Sequence, residues 1–429
     1  MALTYNLKYK KQNFFHKILL EKEGEMIIDR HSFRLKGKGA NDQGEIIFFS
    51  DIRELQTVGT DEFRFTTYKK ERYILSGFSN LFESFLKDFF RVRNEFLAEQ
   101  LFMKVGMLYK EYEGQVEIEN RFDQIVPKGK CRIQFYEGSI VVVPETHECF
   151  AVYYNFLKSH EFDEDEYIFH LYLDNGTNIH ISKLGTYFED AQETMEMLLG
   201  KMYERIINLV REILPEIPAT DLLKLTYIIR DGKAVSLSAV KKINDDLPSK
   251  LEKLAFAGNP VMNEKVKVLR NLADDDRNFS IGFSFYMKPD KREVAAKSWF
   301  CLAMPAKNIV AIGMTSNPAD TTVCFFRIMI EEGDREEKLA EMLNGINQSM
   351  YLLKYDLSTF YRDKRELQKG KFRTAFRRLA YLRMLHTSYL GRHYGPDMEH
   401  FKKELNVVFK RASLMMRQVS NQPPQAGQV

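Results

Sequence analysis

Residues 72–90 read RYILSGFSNLFESFLKDFF. Tyr73, Ile74 and Leu75 favour a strand, Gly77-Phe78 ends it, and from Phe82 the apolar residues recur at helical spacing as Phe82, Phe85, Phe89, Val92 and Phe96. Steps of three and four put them on one stripe of a helix. Ser79 or Asn80 is the expected cap, with Glu83 completing a capping box from Asn80. Just upstream, Glu62-Phe63-Arg64-Phe65-Thr66-Thr67 alternates with the period of two of a half-buried strand, and Tyr68-Lys69-Lys70-Glu71-Arg72 turns between the two strands. A hairpin therefore runs directly into a long amphipathic helix.

The same grammar returns over residues 165–190, DEYIFHLYLDNGTNIHISKLGTYFED. Phe169, Leu171 and Leu173 alternate with His170 and Tyr172, and Ile179 and Ile181 alternate with Asn178 and His180. A three-residue loop, Asp174-Asn175-Gly176, pairs Leu171 with Ile179 and keeps both apolar sets on one face, whereas a two-residue loop mixes the faces. Thr186 and Glu189 form a second expected capping box, ahead of Phe188, Ala191, Met195, Leu198, Met202, Ile206, Leu209 and Ile213 at helical spacing. A third copy is read from NIVAIGMTS and TTVCFFRIMIEE around the turn Asn317-Pro318-Ala319-Asp320, with Asp334 and Glu337 capping a helix that carries Leu339, Met342, Ile346, Met350, Leu353 and Leu357.

Strand-like segments precede each hairpin, among them GEMIIDRHSFRL, GEIIFFSDIRELQTVG, GKCRIQFYEGSIVVVPE and ECFAVYYNFL. Six or seven short strands and then a helix predict an α+β protein built of bent sheets or open barrels, each closed by a long C-terminal helix. The expected divisions are residues 1–110, 111–216 and 217–360, the last with insertions or another topology. A helix over 245–256 and a charged loop at Asp274-Asp275-Asp276-Arg277 belong to that third part. Closing helices such as residues 87–109 outrun one small sheet, so their ends are expected to pack on the next module. From 361 to 417 the chain reads as an antiparallel helical hairpin, with Phe372, Phe376 and Leu379 on one arm, a break at 391–396, and Met398, Phe401, Leu405, Val408, Ala412 and Met415 on the other. The tail 418–429 reads as disordered.

The composition allows several cores: 429 residues, 44% hydrophobic and 13% aromatic. Lys and Arg number 63 against 60 Asp and Glu, so no global field draws the chain to nucleic acid or an anionic membrane. The start, MALTYNLKYKKQNFF, lacks the apolar core of a signal sequence, and no later apolar run reaches the roughly 20 residues of a membrane span. A cytoplasmic location is expected. Cys131, Cys149, Cys301 and Cys324 show no CxxC spacing and read as free thiols in a reducing compartment.

Strands closed by a C-terminal amphipathic helix resemble the pleckstrin-homology-like superfold. The segment DIRELQTVGTDEFRFTTYKKERYILSGFSNLFESFLKDFF resembles the tandem domains of the structure-specific recognition subunit of the histone chaperone FACT. The shared order is an Asp-Ile strand start at Asp51-Ile52, a hairpin over 63–75, Gly77-Phe78, and a helix with paired aromatics at Phe89-Phe90. The resemblance covers about the first 215 residues. It implies the fold; the chain has neither an acidic tail nor a high-mobility-group box, and its one tryptophan is Trp299.

No GxxxxGK[ST], GxSxG, HExxH or GxGxxG is present, and neither an enzyme nor a cofactor is expected. His170 and His180 face each other across the second hairpin, where with Tyr172 they can hold a metal, sense pH, or simply be solvated. His147-Glu148-Cys149 reads as a ligand cluster or a turn, and the acidic run 161–166 as a solvated loop without EF-hand spacing. The densest charge is RDKRELQKGKFRTAFRRLAYLR, residues 362–383. It carries Arg362, Lys364, Arg365, Lys369, Lys371, Arg373, Arg377, Arg378 and Arg383 against Asp363 and Glu366. These cations suit phosphates, an acidic protein surface, an acidic surface of another domain of this chain, or solvent. Phe372, Phe376 and Tyr381 among them suit core packing better than base stacking. The expectation is a non-enzymatic scaffold for a protein partner that recognises extended peptides at sheet edges. Nucleic-acid association is the alternative and anionic lipid a third. A membrane partner is not expected and no small-molecule substrate is indicated.

Overall fold

The computed structural model describes residues 3–39, 42–120, 124–273, 278–287, 294–317, 319–328, 335–367 and 372–420. The fold is α+β with curled antiparallel sheets. It divides into unit 1, Met1–Glu196 with Arg365–Arg378, and unit 2, Met197–Lys364 with Leu379–Val429.

In unit 1 a first sheet comprises β1 (Leu3–Gln12), β2 (Ile18–Ile28), β3 (Ser32–Gly37), β4 (Glu45–Phe48), β5 (Ile52–Val58), β6 (Glu62–Thr67) and β7 (Arg72–Ser76), and is followed by α1 (Phe82–Gln100). Its strand order is β4-β3-β2-β1-β7-β6-β5. A second sheet comprises β8 (Leu108–Glu119), β9 (Ile125–Tyr136), β10 (Ser139–Pro144), β11 (Phe150–Tyr153), β12 (Leu157–Asp163), β13 (Ile168–Leu173) and β14 (Asn178–Ser182), and is followed by α2 (Phe188–Ile213). Its order, β11-β10-β9-β8-β14-β13-β12, repeats the first strand for strand. One irregularity repeats as well: a register slip between Ile52 and Glu54 in one sheet and between Leu157 and Ser159 in the other. Both hairpin loops have three residues with the last left-handed, Lys70 (φ 63°) and Gly176 (φ 79°), and Leu171 pairs with Ile179 as that loop length requires.

The first core is aromatic. Phe33, Phe49, Phe63, Phe65, Phe85 and Phe89 are fully buried, and Phe63 meets Phe89 edge-on with ring centroids 4.9 Å apart. In the second, Phe169, Leu171, Ile179 and Ile181 are buried, as are Ala191 and Met195 of α2, and Phe169 meets Phe188 of that helix edge-on at 5.0 Å. Neither expected capping box forms. A 3-10 turn precedes each helix (Ser79–Leu81 and Gly185–Tyr187), and the free N–H groups of Gly77 and Phe78 are taken instead by the Asp61 carboxylate at 3.0 and 2.8 Å. The stripe on α1 also differs from its reading: Val92 is half-buried while Arg93 and Asn94 are fully enclosed. The helix stops at Gln100, and β8 starts at Leu108, three residues ahead of the expected division; Phe102 (φ 56°) and Gly106 (φ 78°) turn the chain between them.

Unit 2 is built differently from either sheet of unit 1. It contains α3 (Ala219–Ile228), β15 (Val235–Ser236), α4 (Leu237–Lys241), α5 (Leu247–Phe256), α6 (Pro260–Leu272), β16 (Phe279–Met287), β17 (Val294–Met304), β18 (Ile309–Met314), β19 (Val323–Arg327) and α7 (Arg335–Leu352). After α8 (Ser358–Tyr361) the chain leaves unit 2 for α9 (Lys364–Leu367) and α10 (Arg373–Arg378), which fall in unit 1 from Arg365 on, and unit 2 resumes with α11 (Ala380–Ser388), β20 (Tyr389–His393) and α12 (Met398–Ser420). The sheet is a plain meander, β15 through β20 in order. Residues 361–417 are thus not a helical hairpin. Among the described residues they form three short helices, a strand and one long helix, because β19, buried along Val323, Cys324, Phe325 and Phe326, needs a partner on its second edge and takes β20. Phe401, Leu405, Val408 and Ala412 of α12 fall on the expected stripe and close the core with α5 and α6. The loop 274–277, Pro318, Asp334 and the tail from 421 lie outside the described residues. Among the described residues no helix is long and apolar enough to cross a membrane.

Candidate functional site

α1 spends its first turns on its own sheet, and then turns two polar residues to the 144–149 loop of the second sheet. Asn94 donates through Nδ2 to Pro144 O (3.2 Å) and His147 O (2.9 Å), and its Oδ1 accepts from Cys149 N (2.9 Å). Arg93, with 0% of its side chain exposed, donates to Phe49 O at 3.1 Å and to Glu148 Oε1 through Nε (2.9 Å) and Nη2 (2.5 Å). A buried cation demands a carboxylate, and Glu148 supplies it.

Three of the nine sequence-chosen cations converge on the same place. Arg378 also grips Glu148, through Nη1 at 3.1 Å and through Nη2. Arg373 and Arg377 both hold Asp51, and Arg377 further donates to Ser50 O at 3.1 Å. Its guanidinium lies over the Tyr68 ring (5.0 Å), whose hydroxyl donates to Arg377 O at 2.9 Å. Phe376 is buried and Phe372 meets Phe102 at 5.9 Å. Residues 372–378 therefore form a clip that ties Asp51, in the 3-10 turn (Phe49–Asp51) leading into β5, to Glu148, in the loop just before β11, with Arg93 as the inner clasp. Burial alone raises the Glu148 carboxyl, but Arg93 and Arg378 outweigh it and hold it below the usual glutamate value. Burial pushes Arg93 below its ordinary guanidinium value, yet an arginine stays charged in proteins, so the cluster is ionic.

The other cations fall elsewhere. Arg365 is exposed in unit 1; Arg362 and Arg383 are exposed in unit 2; Lys364 opens α9, with its side chain outside the described residues, as are Lys369 and Lys371 entirely. Glu148 was legible as part of a ligand cluster or a turn and not as the centre of an ion-pair cluster, since nothing local marks a carboxylate whose partners lie 55 and 230 residues away.

The remaining candidates resolve plainly. His170 and His180 are register partners with Nδ1 atoms 2.8 Å apart. Asp163 Oδ1 accepts from the N–H groups of Asp165 and Glu166, which makes the acidic run a self-capped loop. All four cysteines are free and buried, and burial pushes their thiols up to about 12, so they are protonated and inert. A cleft of about 470 Å³ beside α1 mixes cations and carboxylates that pair with each other, Lys87 with Glu145 at 3.3 Å and Arg91 with Asp88 at 3.0 Å. In unit 2, Lys265 is fully buried and donates to Thr321 O (2.6 Å) and Gly395 O (2.7 Å), and beside it neither ring nitrogen of the buried His393 has a hydrogen-bond partner. Among the described residues no three His, Cys, Asp or Glu side chains are placed to hold a metal.

A scan against protein-family models finds no match, and a search of curated proteins finds no significant relative.

Proposed function

We propose that this chain is a non-enzymatic interaction protein whose first unit is a rigid tandem of pleckstrin-homology-like modules that binds an extended segment of a protein partner. The observation that carries this reading is β4. It ends the first sheet, so one side of its backbone is unpaired among the described residues, and it displays Ile46 and Phe48 at 49% and 48% exposure. An apolar open edge accepts a further strand, with backbone bonds giving affinity and the two side chains giving selectivity. Just past the end of this strand, in the 3-10 turn Phe49–Asp51, Ser50 and Asp51 are gripped by the arginine clip, which anchors the end of the edge before a partner arrives and lowers the ordering cost of binding. The repeated strand order and repeated register slip support reading the two sheets as copies of one module. Phosphate binding by the basic segment is less favoured, because Arg373, Arg377 and Arg378 are already committed to carboxylates.

The test is selection of peptides from a random displayed library on the purified chain, followed by hydrogen exchange of Glu45–Phe48 with and without a selected peptide. Protection on β4 that is lost in an Ile46→Lys, Phe48→Lys variant supports the reading. Absence of enriched peptides, or protection confined to other strands, overturns it.

A further inference from the structure

The outer face of the second sheet carries a row of side chains in register across four strands: Glu161 on β12, His170 on β13, His180 on β14 and Glu117 on β8. The next row is Ser159, Tyr172, Asn178 and Glu119. Neither row contains a lysine or arginine, so the two imidazoles sit between carboxylates with no nearby cation in either row.

The rings do more than neighbour each other. They cross at 73° with centroids 4.9 Å apart, and both Nδ1 atoms point at one another at 2.8 Å. Glu119, steadied by a 2.8 Å bond from Asn178 Nδ2, places its Oε2 3.6 Å from His180 Nε2. That carboxylate favours the His180 tautomer with the proton on Nε2, so His170 Nδ1–H donates to His180 Nδ1, and a metal bound by both Nδ1 atoms requires that proton to move to His170 Nε2. Two imidazole nitrogens bound to one divalent ion at about 2.0–2.1 Å each lie roughly 3.0–3.4 Å apart, only a few tenths of an ångström wider than the pair stands. Small rotations about the side-chain bonds close that gap.

We propose that His170 and His180 form a two-histidine site for a divalent transition ion of the imidazole-preferring class, Cu²⁺, Ni²⁺ or Zn²⁺, with water completing the coordination and Glu119 orienting His180. Glu117 and Glu161 supply the favourable field. The flanking strands fix both ligands, since their Cα positions are set by the ladder and by the three-residue loop at Gly176. Such a site is independent of the β4 edge and of the arginine clip.

The experiment uses the untagged full chain in chelator-free buffer, titrated calorimetrically with the chlorides of Cu²⁺, Ni²⁺ and Zn²⁺, alongside His170→Gln, His180→Gln and Glu119→Gln variants checked for wild-type circular dichroism. The expected result is one equivalent of metal, bound most tightly for Cu²⁺ as the general stability order dictates. Each histidine variant should bind at least about tenfold more weakly, and Glu119→Gln roughly tenfold more weakly. The Cu²⁺ electron paramagnetic resonance spectrum should show two nitrogen ligands in the wild type and one in each histidine variant. No binding by the wild type at millimolar metal, or binding of unchanged affinity and nitrogen count in both histidine variants, overturns the assignment.

Discussion

Replacing Glu148 with alanine should cost unit 1 about 3 kcal/mol. The change strands Arg93, which is fully enclosed and keeps only its bond to Phe49 O, and it removes the partner of Arg378. Breaking a buried ion pair from one side costs about 3–5 kcal/mol. The lower end applies here, because the Glu148 side chain is 28% exposed and water can reach part of the space it leaves. For a unit of this size each kcal/mol moves the midpoint by roughly 2–4 °C, so a fall of about 6–12 °C is expected in the thermal transition that includes α1. Circular dichroism can follow that transition, and hydrogen exchange of the α1 amides can assign it. Removing both inner partners, as Arg93→Met with Glu148→Met, should recover much of the loss, since the fully enclosed charge is then gone and only Arg378, which reaches solvent in part, lacks its carboxylate. Acid should act in the same direction. The depressed Glu148 carboxyl contributes stability at pH above the ordinary glutamate value and loses it as pH falls through its own lower one. A cost under about 1 kcal/mol for the alanine variant, or a double variant as damaged as the sum of its parts, would refute the view that this cluster clasps the two modules.

Three further outcomes follow from particular contacts. Asp51→Asn should loosen the clip and raise the rate of native-state tryptic cleavage after Arg373 and Arg377 by roughly 5- to 150-fold, the equivalent of about 1–3 kcal/mol of local opening, as mapped by mass spectrometry; an unchanged rate contradicts the clip. Gly24→Ala should destabilise the first sheet by the upper end of the about 1–3 kcal/mol typical of overpacking, because the new Cβ would stand 1.9 Å from the Lys36 carbonyl oxygen and only backbone can yield; chemical denaturation reads this directly. In unit 2, His393 is held down to about 4 by burial, Lys265 and His400, so between pH 6.5 and 4 the unfolded chain takes up a proton that the folded chain does not. Stability should fall as pH falls through that window, and His393→Phe should flatten the fall in melting profiles taken at pH 5 and 7; an equal slope in the variant counts against it.

Much of unit 1 was legible because its determinants are local. The Phe82, Phe85, Phe89 spacing, the alternation in β6 and β13, and the three-residue loop that sets Leu171 against Ile179 each depend on residues close in sequence. The expected overrun of α1 onto the second sheet is also found, although its agents are not the apolar ones. Arg93 and Asn94 read as solvent-facing because a charge and an amide are expensive to bury, and only Glu148, Phe49 O and the 144–149 backbone make them cheap. The capping box at Asn80 failed for a related reason, since Asp61, from a neighbouring turn, takes the N–H groups of Gly77 and Phe78 ahead of the helix. β20 was hidden because Tyr389-Leu390-Gly391-Arg392-His393 has no strong alternation, and its strand character comes from the demand of β19. The arginines were correctly seen as a dense cationic segment. A sequence that offers cations but not their distant carboxylates cannot separate a phosphate surface from an internal clip.

That distinction is the central one, and salt dependence tests it most directly. The purified chain should be titrated with labelled single- and double-stranded DNA at about 50 and 200 mM salt. If Arg373, Arg377 and Arg378 are occupied by Asp51 and Glu148, affinity at the lower salt should be weak and the slope against log salt shallow, at most about one or two phosphate contacts, with Arg377→Gln unchanged from wild type. Tight binding that collapses between the two salt concentrations, with a slope equivalent to three or more phosphates that Arg377→Gln reduces by about one, would contradict the account and return the basic segment to the surface as a nucleic-acid site.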